Sequence, residues 1–560
     1  MGGIINIKTK SPENYTGSSI KLTAGEYGNR SIGAATYNTI NDKFSYSFSS
    51  YYGEKGGFFT NKFNNEKVDN MKQYNVGSKI VYTPSDSFKS VLSINYQGSK
   101  QGGYPYGKYN KKTGEIEQVN YNKYSSYDRD MLSTSLYNEY KTEKILFSSS
   151  TSYNYFTDHQ AIDQDFKPVD IYFVNHRQSQ HMFSQEFTLK SRENKAYKWV
   201  FGAFAFHQSI KTTVDVNFGD SYVAGMVKRK IFPEGTTSYA YVKNYDIPTS
   251  GAAIFHQSSI DVGDFNFSAG IRLDYESTNL DYSYFKTLNT TERKADEKDG
   301  NLDYFQILPK ASIKYNLTSN NFLYATIAKG YKTGGYNTVY EKDTPVSFDP
   351  EHSWNYETGI KMNLLENRLF INMAAFYIEW KNQQISQTVP SGQGRIQVNA
   401  GESVSKGIEL ESRLILVENL ELQANYGYTE AKFIDYEDVK KGKKLDYSNN
   451  YIPYVPKQTI SLALSYRYEI NSKIIDAVKF NTIYKAFDEH YWNVNNSIKQ
   501  GFYDIIDAKI SFIKDNFAFN IWAKNISNSE YMAYHFSSMG TDFAQKGKPS
   551  QVGFSFKYSF

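Results

Sequence analysis

Apolar and polar residues alternate in steps of two along segment after segment of this sequence. From Phe265 to Tyr275 apolar residues occupy the odd positions, with polar or small residues between them. From Leu420 to Tyr428 apolar residues occupy the even positions in the same way. A period of two is typical of a β-strand with one face in an apolar medium and the other in a polar one. The pattern predicts an all-β protein.

We predict about 22 strands, an even number within the range of transmembrane barrels. The expected strands span residues 18–27, 31–39, 43–53, 73–83, 88–98, 131–140, 145–155, 181–191, 197–208, 250–261, 265–276, 307–315, 322–331, 354–363, 369–380, 395–416, 420–431, 459–467, 477–485, 503–512, 517–525 and 550–560. Residues 395–416 are expected to form one bulged strand, because a division at Gly401 would break the up-and-down order.

The expected connections alternate between short polar turns and long loops. The long loops span residues 99–130, 156–180, 209–249, 277–306, 332–353, 432–458 and 526–549. A soluble sandwich has no reason to collect its short turns at one end, whereas a membrane barrel does so as a rule. A soluble solenoid would need a fixed sequence period, which this sequence lacks. We therefore predict a transmembrane antiparallel β-barrel with both termini on the short-turn side.

Composition excludes several other classes of protein. No run reaches the roughly 18 apolar residues that a membrane-spanning helix requires. The chain has no cysteine, so disulfide frameworks and thiolate metal sites are excluded. Its formal charge of +4 is spread along the sequence without a basic arm or helix, so we expect no nucleic-acid partner.

Four segments and the last strand carry a resemblance to a known family. The segments are LPKASIKYNLTSNNFLYATIAKGYKTGGYN (308–337), SWNYETGIK (353–361), VNAGESVSKGIELES (398–412) and NISNSEYMAYHF (525–536). Together they resemble the TonB-dependent outer-membrane receptors, which are plugged barrels that take up iron complexes. The stretch KGYKTGGYN followed by FDPEHSWNYETGIK looks most like receptors of the ferric-yersiniabactin and pesticin type.

The opening segment GGIINIKTKSP resembles the last strand of that family's N-terminal plug domain. The resemblance implies a remnant of the plug at residues 1–14 and the receptor barrel at 15–560, with the TonB box and most of the plug upstream of this chain. A barrel with its plug almost entirely missing is expected to be an open pore or unstable, because its polar inward column would line water. Whether the missing part is lost, encoded separately or absent only from this sequence stays open, as does whether the truncated chain functions.

No motif for catalysis is present, so we expect neither an enzyme nor a resident cofactor or metal. The segment ADEKDGNLD (295–303) is similar to a calcium loop, but Ala295 would fall at the first ligand position. We expect this segment to be a solvated extracellular loop. The motifs HExxH, GxSxG and GxxxxGK are absent.

The resemblance implies that aromatic and basic side chains at the outer mouth capture a ferric siderophore. The candidate residues are Tyr104, Tyr106, Lys332, Tyr336, Arg395, Tyr491 and Trp492. Each could instead serve in an interfacial girdle or in loop packing. The histidines His207, His256, His490 and His535 keep a haem receptor open, since imidazole is a common axial ligand. Cobalamin, nickel complexes and oligosaccharides also remain open as ligands.

The predicted function is therefore the barrel of a siderophore receptor in the outer membrane of a Gram-negative bacterium. In the full-length protein the TonB complex would supply the energy for uptake. A passive outer-membrane pore is the alternative from another class. We expect a monomer surrounded by outer-membrane lipid. The last strand places Phe554, Phe556, Tyr558 and Phe560 on one face, like the signal that the barrel-assembly machinery reads. The particular siderophore is not determined.

Overall fold

The computed structural model describes residues 6–192, 196–341, 344–389, 394–399, 401–440, 443–470 and 472–560. Residues 1–5 of the opening segment and Ala400 of the segment 398–412 lie outside the described residues. Within the described ranges, no α-helix has the length and apolar character needed to cross a bilayer.

The described residues form 33 strands and one helix. The strands of the first half are β1 Gly17–Gly25, β2 Asn29–Asn41, β3 Phe44–Lys55, β4 Met71–Ser85, β5 Phe88–Gly102, β6 Gly107–Lys108, β7 Ser126–Lys141, β8 Ile145–Asp163, β9 Tyr172–Ser191, β10 Tyr197–Phe218, β11 Tyr239–Val262, β12 Phe265–Leu288, β13 Thr291–Asn316, β14 Phe322–Lys332, β15 Gly335–Tyr336 and β16 Ser347–Phe348. The helix α1 spans Asp220–Lys228.

The strands of the second half are β17 Glu351–Leu364, β18 Leu369–Lys381, β19 Gln384–Thr388, β20 Arg395–Asn399, β21 Glu402–Val417, β22 Leu420–Asp435, β23 Glu437–Lys440, β24 Lys443–Asp446, β25 Gln458–Glu469, β26 Ala477–Phe487, β27 His490–Tyr491, β28 Lys499–Gln500, β29 Tyr503–Lys514, β30 Phe517–Lys524, β31 Met532–Ser538, β32 Thr541–Lys546 and β33 Gln551–Ser559.

Twenty-two of these strands form one closed antiparallel sheet. Strand β1 pairs with β33 from Ser19↔Ser559 to Gly25↔Gly553, and this pairing closes the barrel. The predicted fold class and strand number are confirmed. The shorter strands form small hairpins and bridges within the loops at one end of the barrel.

The two-residue alternation divides the wall into an outward and an inward face. On β12 the side chains of Phe265, Phe267 and Ile271 are exposed on the outside by 41–45%. On the inward face of the same strand, Asp274 is only 8% exposed and forms an ion pair with Arg272. An outward apolar face exposed to this degree requires an apolar solvent, because an exposed surface of this size would not be stable in water.

The β12–β13 hairpin is much longer than the sequence indicated. The predicted loop 277–306 is wrong, because β12 continues to Leu288 and β13 starts at Thr291. Asn289 adopts a left-handed φ of 54° in the tight connection, and its side-chain oxygen accepts the backbone N–H of Thr237. The segment 295–303 is therefore an exposed part of β13 and not a loop. The sequence pattern missed this hairpin because the segment is rich in charges and because the apolar residues of β12 change from odd to even positions at Leu280 and Tyr282.

The single bulged strand predicted over 395–416 is also wrong. Strand β20 pairs with β19 in a separate hairpin, and the barrel strand β21 begins only at Glu402. At Gly401 the backbone approaches β22 so closely that an added Cβ would lie 1.9 Å from the carbonyl oxygen of Asp435. The close approach leaves room only for glycine where the chain enters the barrel.

The connections differ sharply between the two ends of the barrel. All turns at one end, called here the short-turn end, are brief, and the long loops lie at the other, the loop end, together with two brief connections at 26–28 and 289–290. Residues 9–15 lie inside the short-turn end, where Lys79 Nζ donates to Thr9 Oγ1 over 2.7 Å and Lys89 pairs with Glu13. Phe560 hydrogen-bonds Ser18 at the same end.

The four aromatic residues of the last strand region share the outward face, as predicted. Phe554 and Phe560 are more than half exposed there. Tyr558 stacks on Phe517 of the neighbouring β30 with ring centroids 4.5 Å apart. Their role as an assembly signal stays a prediction.

Candidate functional site

Five long loops contribute to a cavity of about 420 Å³ at the loop end, called here the loop cavity. Its lining residues are Lys111 from the loop that follows β5, residues 383–387, Arg395, Phe433, Tyr436, Asp438, residues 452–454, 492–495, Ser497 and residues 535–537. Short hairpins hold these loops in place: β19 with β20, β27 with β28, and β31 with β32. A site assembled from hairpins is better ordered than one built on irregular loops, because backbone hydrogen bonds fix each segment.

Basic and amide groups line one part of the loop cavity. Arg395 donates from Nη2 to the backbone oxygen of Ser386 over 3.1 Å, and among the described residues no carboxylate pairs with it. The amides of Gln383, Gln384 and Gln387 and the side chain of Asp438 also line the cavity. Guanidinium and amide groups suit a polar ligand of negative charge, because they present several N–H donors in fixed directions.

Aromatic rings form the opposite part of the cavity. Trp492 is 7% exposed and packs edge-on against Tyr454 at 5.4 Å and His490 at 4.8 Å. Its indole N–H is buried without a hydrogen-bond partner among the described residues. An unpaired buried donor costs about 1–3 kcal/mol. Tyr491 points elsewhere and stacks on Tyr451 at 5.8 Å.

Tyr104 and Tyr106 support the cavity wall from behind. Tyr106 packs against Phe536, a lining residue, with ring centroids 4.9 Å apart, and against Phe166 at 5.2 Å. Burial raises the pKa of Tyr106 to about 12, so its hydroxyl stays neutral. The Tyr104 hydroxyl donates to Gln160 over 3.1 Å. These contacts give both rings a packing role, which was the alternative that the sequence left open.

Lys332 and Tyr336 are not among the residues that line the loop cavity. Lys332 ends β14, and Tyr336 in β15 packs into a separate cluster with Tyr245, Leu280 and Tyr282. The Tyr336 hydroxyl is buried without a hydrogen-bond partner among the described residues. Of the seven predicted binding residues, the structure thus brings Arg395 and Trp492 to one cavity, with Tyr104, Tyr106 and Tyr491 around it.

A charged cluster missed by the sequence analysis ties two loops together beside the cavity. Asp542 accepts an ion pair from Lys111 at 2.8 Å and lies 3.3 Å from Nε2 of His535. Burial lowers the pKa of His535, and the carboxylate of Asp542 offsets this only in part. Burial alone would raise the pKa of Asp542, but the ion pair with Lys111 outweighs it and the pKa is lowered. No local pattern marks this pairing, because Lys111 is distant in sequence from His535 and Asp542.

The four histidines proposed as haem ligands do not converge. His207 and His256 lie on the barrel strands and bond to Ser250 and Ser258. His490 and His535 are buried near the loop cavity. Among the described residues, no group of three or more His, Asp or Glu side chains is arranged to hold a metal ion.

A second ion-pair cluster lies next to Trp492. Glu489 accepts from Lys457 at 2.6 Å and from Lys499 at 2.8 Å. The hydrogen bonds from these two ammonium groups, followed by their charge, lower the pKa of Glu489 to about 2. The pairs connect the loop before β25 to the β27–β28 hairpin.

The chain matches a family model described as TonB dependent receptor-like, beta-barrel, over residues 14–526. It is 23% identical to the pesticin receptor of Yersinia pestis over 304 residues, which cover 53% of this chain and 42% of that protein. It is 34% identical to the metal-pseudopaline receptor CntO of Pseudomonas aeruginosa over 137 residues, which cover 24% of this chain and 18% of that protein. The matched segments therefore span less than half the length of these curated relatives.

Solved structures share the fold. The ferric yersiniabactin uptake receptor FyuA from Yersinia pestis superposes with a TM-score of 0.84 at 18% identity, covering 100% of this chain and 82% of that one. The siderophore receptor PiuA from Acinetobacter baumannii gives a TM-score of 0.77 at 15% identity, covering 98% and 82%. At these identities the likeness shows a common barrel and leaves the ligand of this chain open.

Proposed function

The chain belongs to the TonB-dependent receptor-like β-barrel family, and from this premise we propose that it is the barrel of an outer-membrane receptor for a ferric siderophore. The names of its relatives support this proposal, since they are receptors for pesticin, metal-pseudopaline and ferric yersiniabactin. The loop cavity is the observation that carries it, because Arg395 and the ring of Trp492 line one space between the loops. No covalent chemistry is assigned to the chain.

We propose further that residues 1–14 are the end of a plug domain and that residues 15–560 are the barrel. In the full-length receptor, a TonB complex would supply the energy for uptake. The short-turn end then faces the periplasm of a Gram-negative bacterium, and the loop cavity faces the medium. The barrel is a monomer in lipid, and its last strand is the segment that the assembly machinery recognises.

A binding assay on the purified barrel tests the ligand class. Ferric complexes of catecholate, hydroxamate and phenolate siderophores, together with haemin and cyanocobalamin, are titrated against the protein in detergent. The expected result is saturable binding of one ferric siderophore class, weakened in Arg395→Gln and unchanged in Lys332→Gln, the matched control outside the cavity. Equal weakening by both variants, or binding of haemin alone, would contradict the proposal.

Uptake separates a receptor from a passive pore. A deletion strain carrying the gene should grow on the bound ferric siderophore as sole iron source only while TonB is present. Liposomes containing the full-length receptor, with its plug inside the barrel, should not swell in unselected small sugars if it acts as a selective receptor. Swelling in every sugar, with no saturable ligand, would favour the pore.

A further inference from the structure

The outward wall of the barrel carries a groove that no part of the proposed uptake function uses. This outward groove has a volume of about 980 Å³ and crosses strands β11 to β18. Each of the six neighbouring strands contributes one small outward residue to its floor. These residues are Ser258, Ala269, Ala311, Ala325, Thr358 and Ala375.

Larger side chains form the walls of the groove. Phe267 and Ile313 stand on the side nearer the short-turn end, and Tyr356 and Tyr377 stand at the far end. The lower end of the groove is marked by Tyr197, the first residue of β10, whose hydroxyl bonds to Ser258 over 2.8 Å. The lining is apolar apart from such paired hydroxyls, and it continues the apolar outward face without interruption.

The dimensions of the groove match one acyl chain of a single leaflet. Five strand spacings of about 4.8 Å give a length of roughly 24 Å. Strands of such barrels tilt by about 45°, so a row straight across them would climb by roughly 17 Å. The row steps back by two residues towards the short-turn end at β14, because Ala325 pairs with Ile313 and not with Ala311, and the net climb is roughly 12 Å. One leaflet of the hydrocarbon core is about 15 Å thick. The groove therefore rises from near the short-turn end through most of the thickness of one leaflet.

A second copy of the barrel fits this groove less well. Two rows of side chains spaced by about 6.6 Å along each strand give a patch of roughly 300 Å². A stable protein interface buries about 800 Å² on each partner. The groove is also recessed between larger side chains. Because the wall of a second barrel is convex as well, it would contact those side chains and leave the groove unfilled.

We propose that the outward groove holds one acyl chain of a glycerophospholipid from the periplasmic leaflet as a resident lipid. The proposal rests on the outer-membrane placement proposed above and not on the ligand of the loop cavity. Alanine and threonine side chains leave space that lipid fills, and the ridges restrict the exchange of that chain with the bulk bilayer. No charged side chain is needed at the groove, so selectivity for the headgroup is not expected.

Native mass spectrometry of the barrel extracted in mild detergent tests this proposal. The wild-type protein should retain one phospholipid through washing, and Ala311→Phe and Ala325→Phe should each lower its occupancy at least tenfold. The control is Ala34→Phe, the same substitution at an exposed outward position on β2 outside the groove. It should keep the lipid. A band that shifts on heating in gel electrophoresis confirms that each variant is folded.

A second measurement uses the unmodified protein. Phospholipids with a photoreactive acyl chain, reconstituted with the barrel, should crosslink to peptides of β12 to β14 at least tenfold more than to β2 to β4. Equal labelling around the wall would overturn the proposal. Three other results would also overturn the proposal. They are retention of lipid A and no phospholipid, an equal amount of bound phospholipid in wild type and Ala311→Phe, and a wild-type dimer that dissociates in Ala311→Phe. Absence of the folded barrel from the outer-membrane fraction would instead contradict the proposed function.

Discussion

Replacement of Gly553 by alanine should weaken the seam that closes the barrel. Gly553 on β33 pairs with Gly25 on β1 and with Trp522 on β30. The indole of Trp522 lies across both glycines, so that a Cβ at Gly553 would be 2.3 Å from its Cζ2 atom. The same Cβ would be 2.7 Å from the carbonyl oxygen of Ala24. Both contacts are far below a normal van der Waals separation.

The size of the effect follows from which of these neighbours can move. The indole can rotate away at the cost of its packing, whereas the backbone oxygen of Ala24 belongs to the closing strand and can move only with it. Overpacking of this kind costs about 1–3 kcal/mol, and we expect Gly553→Ala to fall in that range. Gly33→Ala is the matched control, because its Cβ would meet Tyr51 at an ordinary 3.5 Å. That variant should gain up to about 1 kcal/mol from reduced backbone entropy of the unfolded chain.

Equilibrium unfolding by guanidinium in detergent, followed by circular dichroism, measures both variants. A double-mutant cycle combines Gly553→Ala with Trp522→Ala. In that background Gly553→Ala should cost at least about 1 kcal/mol less, because one of the two clashes is gone. A Gly553→Ala barrel as stable as wild type, or a cost that does not depend on Trp522, would refute this account of the seam.

Three further predictions concern the loop end. Trp492→Phe should weaken ligand binding severalfold in titration, because the indole lines the cavity. The free energy of unfolding should stay unchanged or rise by about 1 kcal/mol, because the substitution removes a buried donor without a partner. Arg395→Gln should raise the dissociation constant about tenfold to hundredfold, the range of a lost charge-assisted hydrogen bond; an unchanged value would place the ligand elsewhere. The pKa of Glu489 lies below its ordinary value of 4.5, so its ion pairs stabilise the loops above pH 4.5 and are lost as the pH falls towards about 2. The protection factors of residues 488–502 against hydrogen exchange, corrected for the intrinsic exchange rate at each pH, should therefore fall between pH 5 and about pH 3 in wild type, and Glu489→Gln should show low protection at both values.

The barrel strands could be predicted because each carries its own local signal. On β12 the alternation from Phe265 to Tyr275 records one lipid-facing and one lumen-facing column, and no distant residue is needed to read it. The two wrong predictions, the loop 277–306 and the single strand 395–416, lie where tertiary contacts and not the local alternation decide the structure. Above Tyr275 the outward face leaves the apolar medium, so charges enter both columns and the strand resembles a loop. At Gly401 a close approach to Asp435 of β22 decides where β21 begins.

The candidate site could be predicted only in part, for a similar reason. Arg395 and Trp492 were predicted because a guanidinium and an indole at a barrel mouth suit a ligand; the structure places both in the lining of one cavity, and their binding role stays a prediction. Tyr104 and Tyr106 looked equivalent in sequence, yet the fold turns them towards Phe166 and Phe536 behind the cavity. The ion pair between Lys111 and Asp542 joins loops far apart in the chain, so nothing local could reveal it.

The sequence by itself determined that this chain forms an all-β wall of 22 strands with an apolar outside, because the period of the side chains reports the two media on either side of a strand. Only the tertiary structure decided which loops meet and that Arg395 lines the loop cavity whereas Lys332 and Tyr336 do not. It also decided that small residues on six neighbouring strands together form a groove. Those arrangements depend on strand register and loop packing, in which each residue's neighbours come from distant parts of the chain.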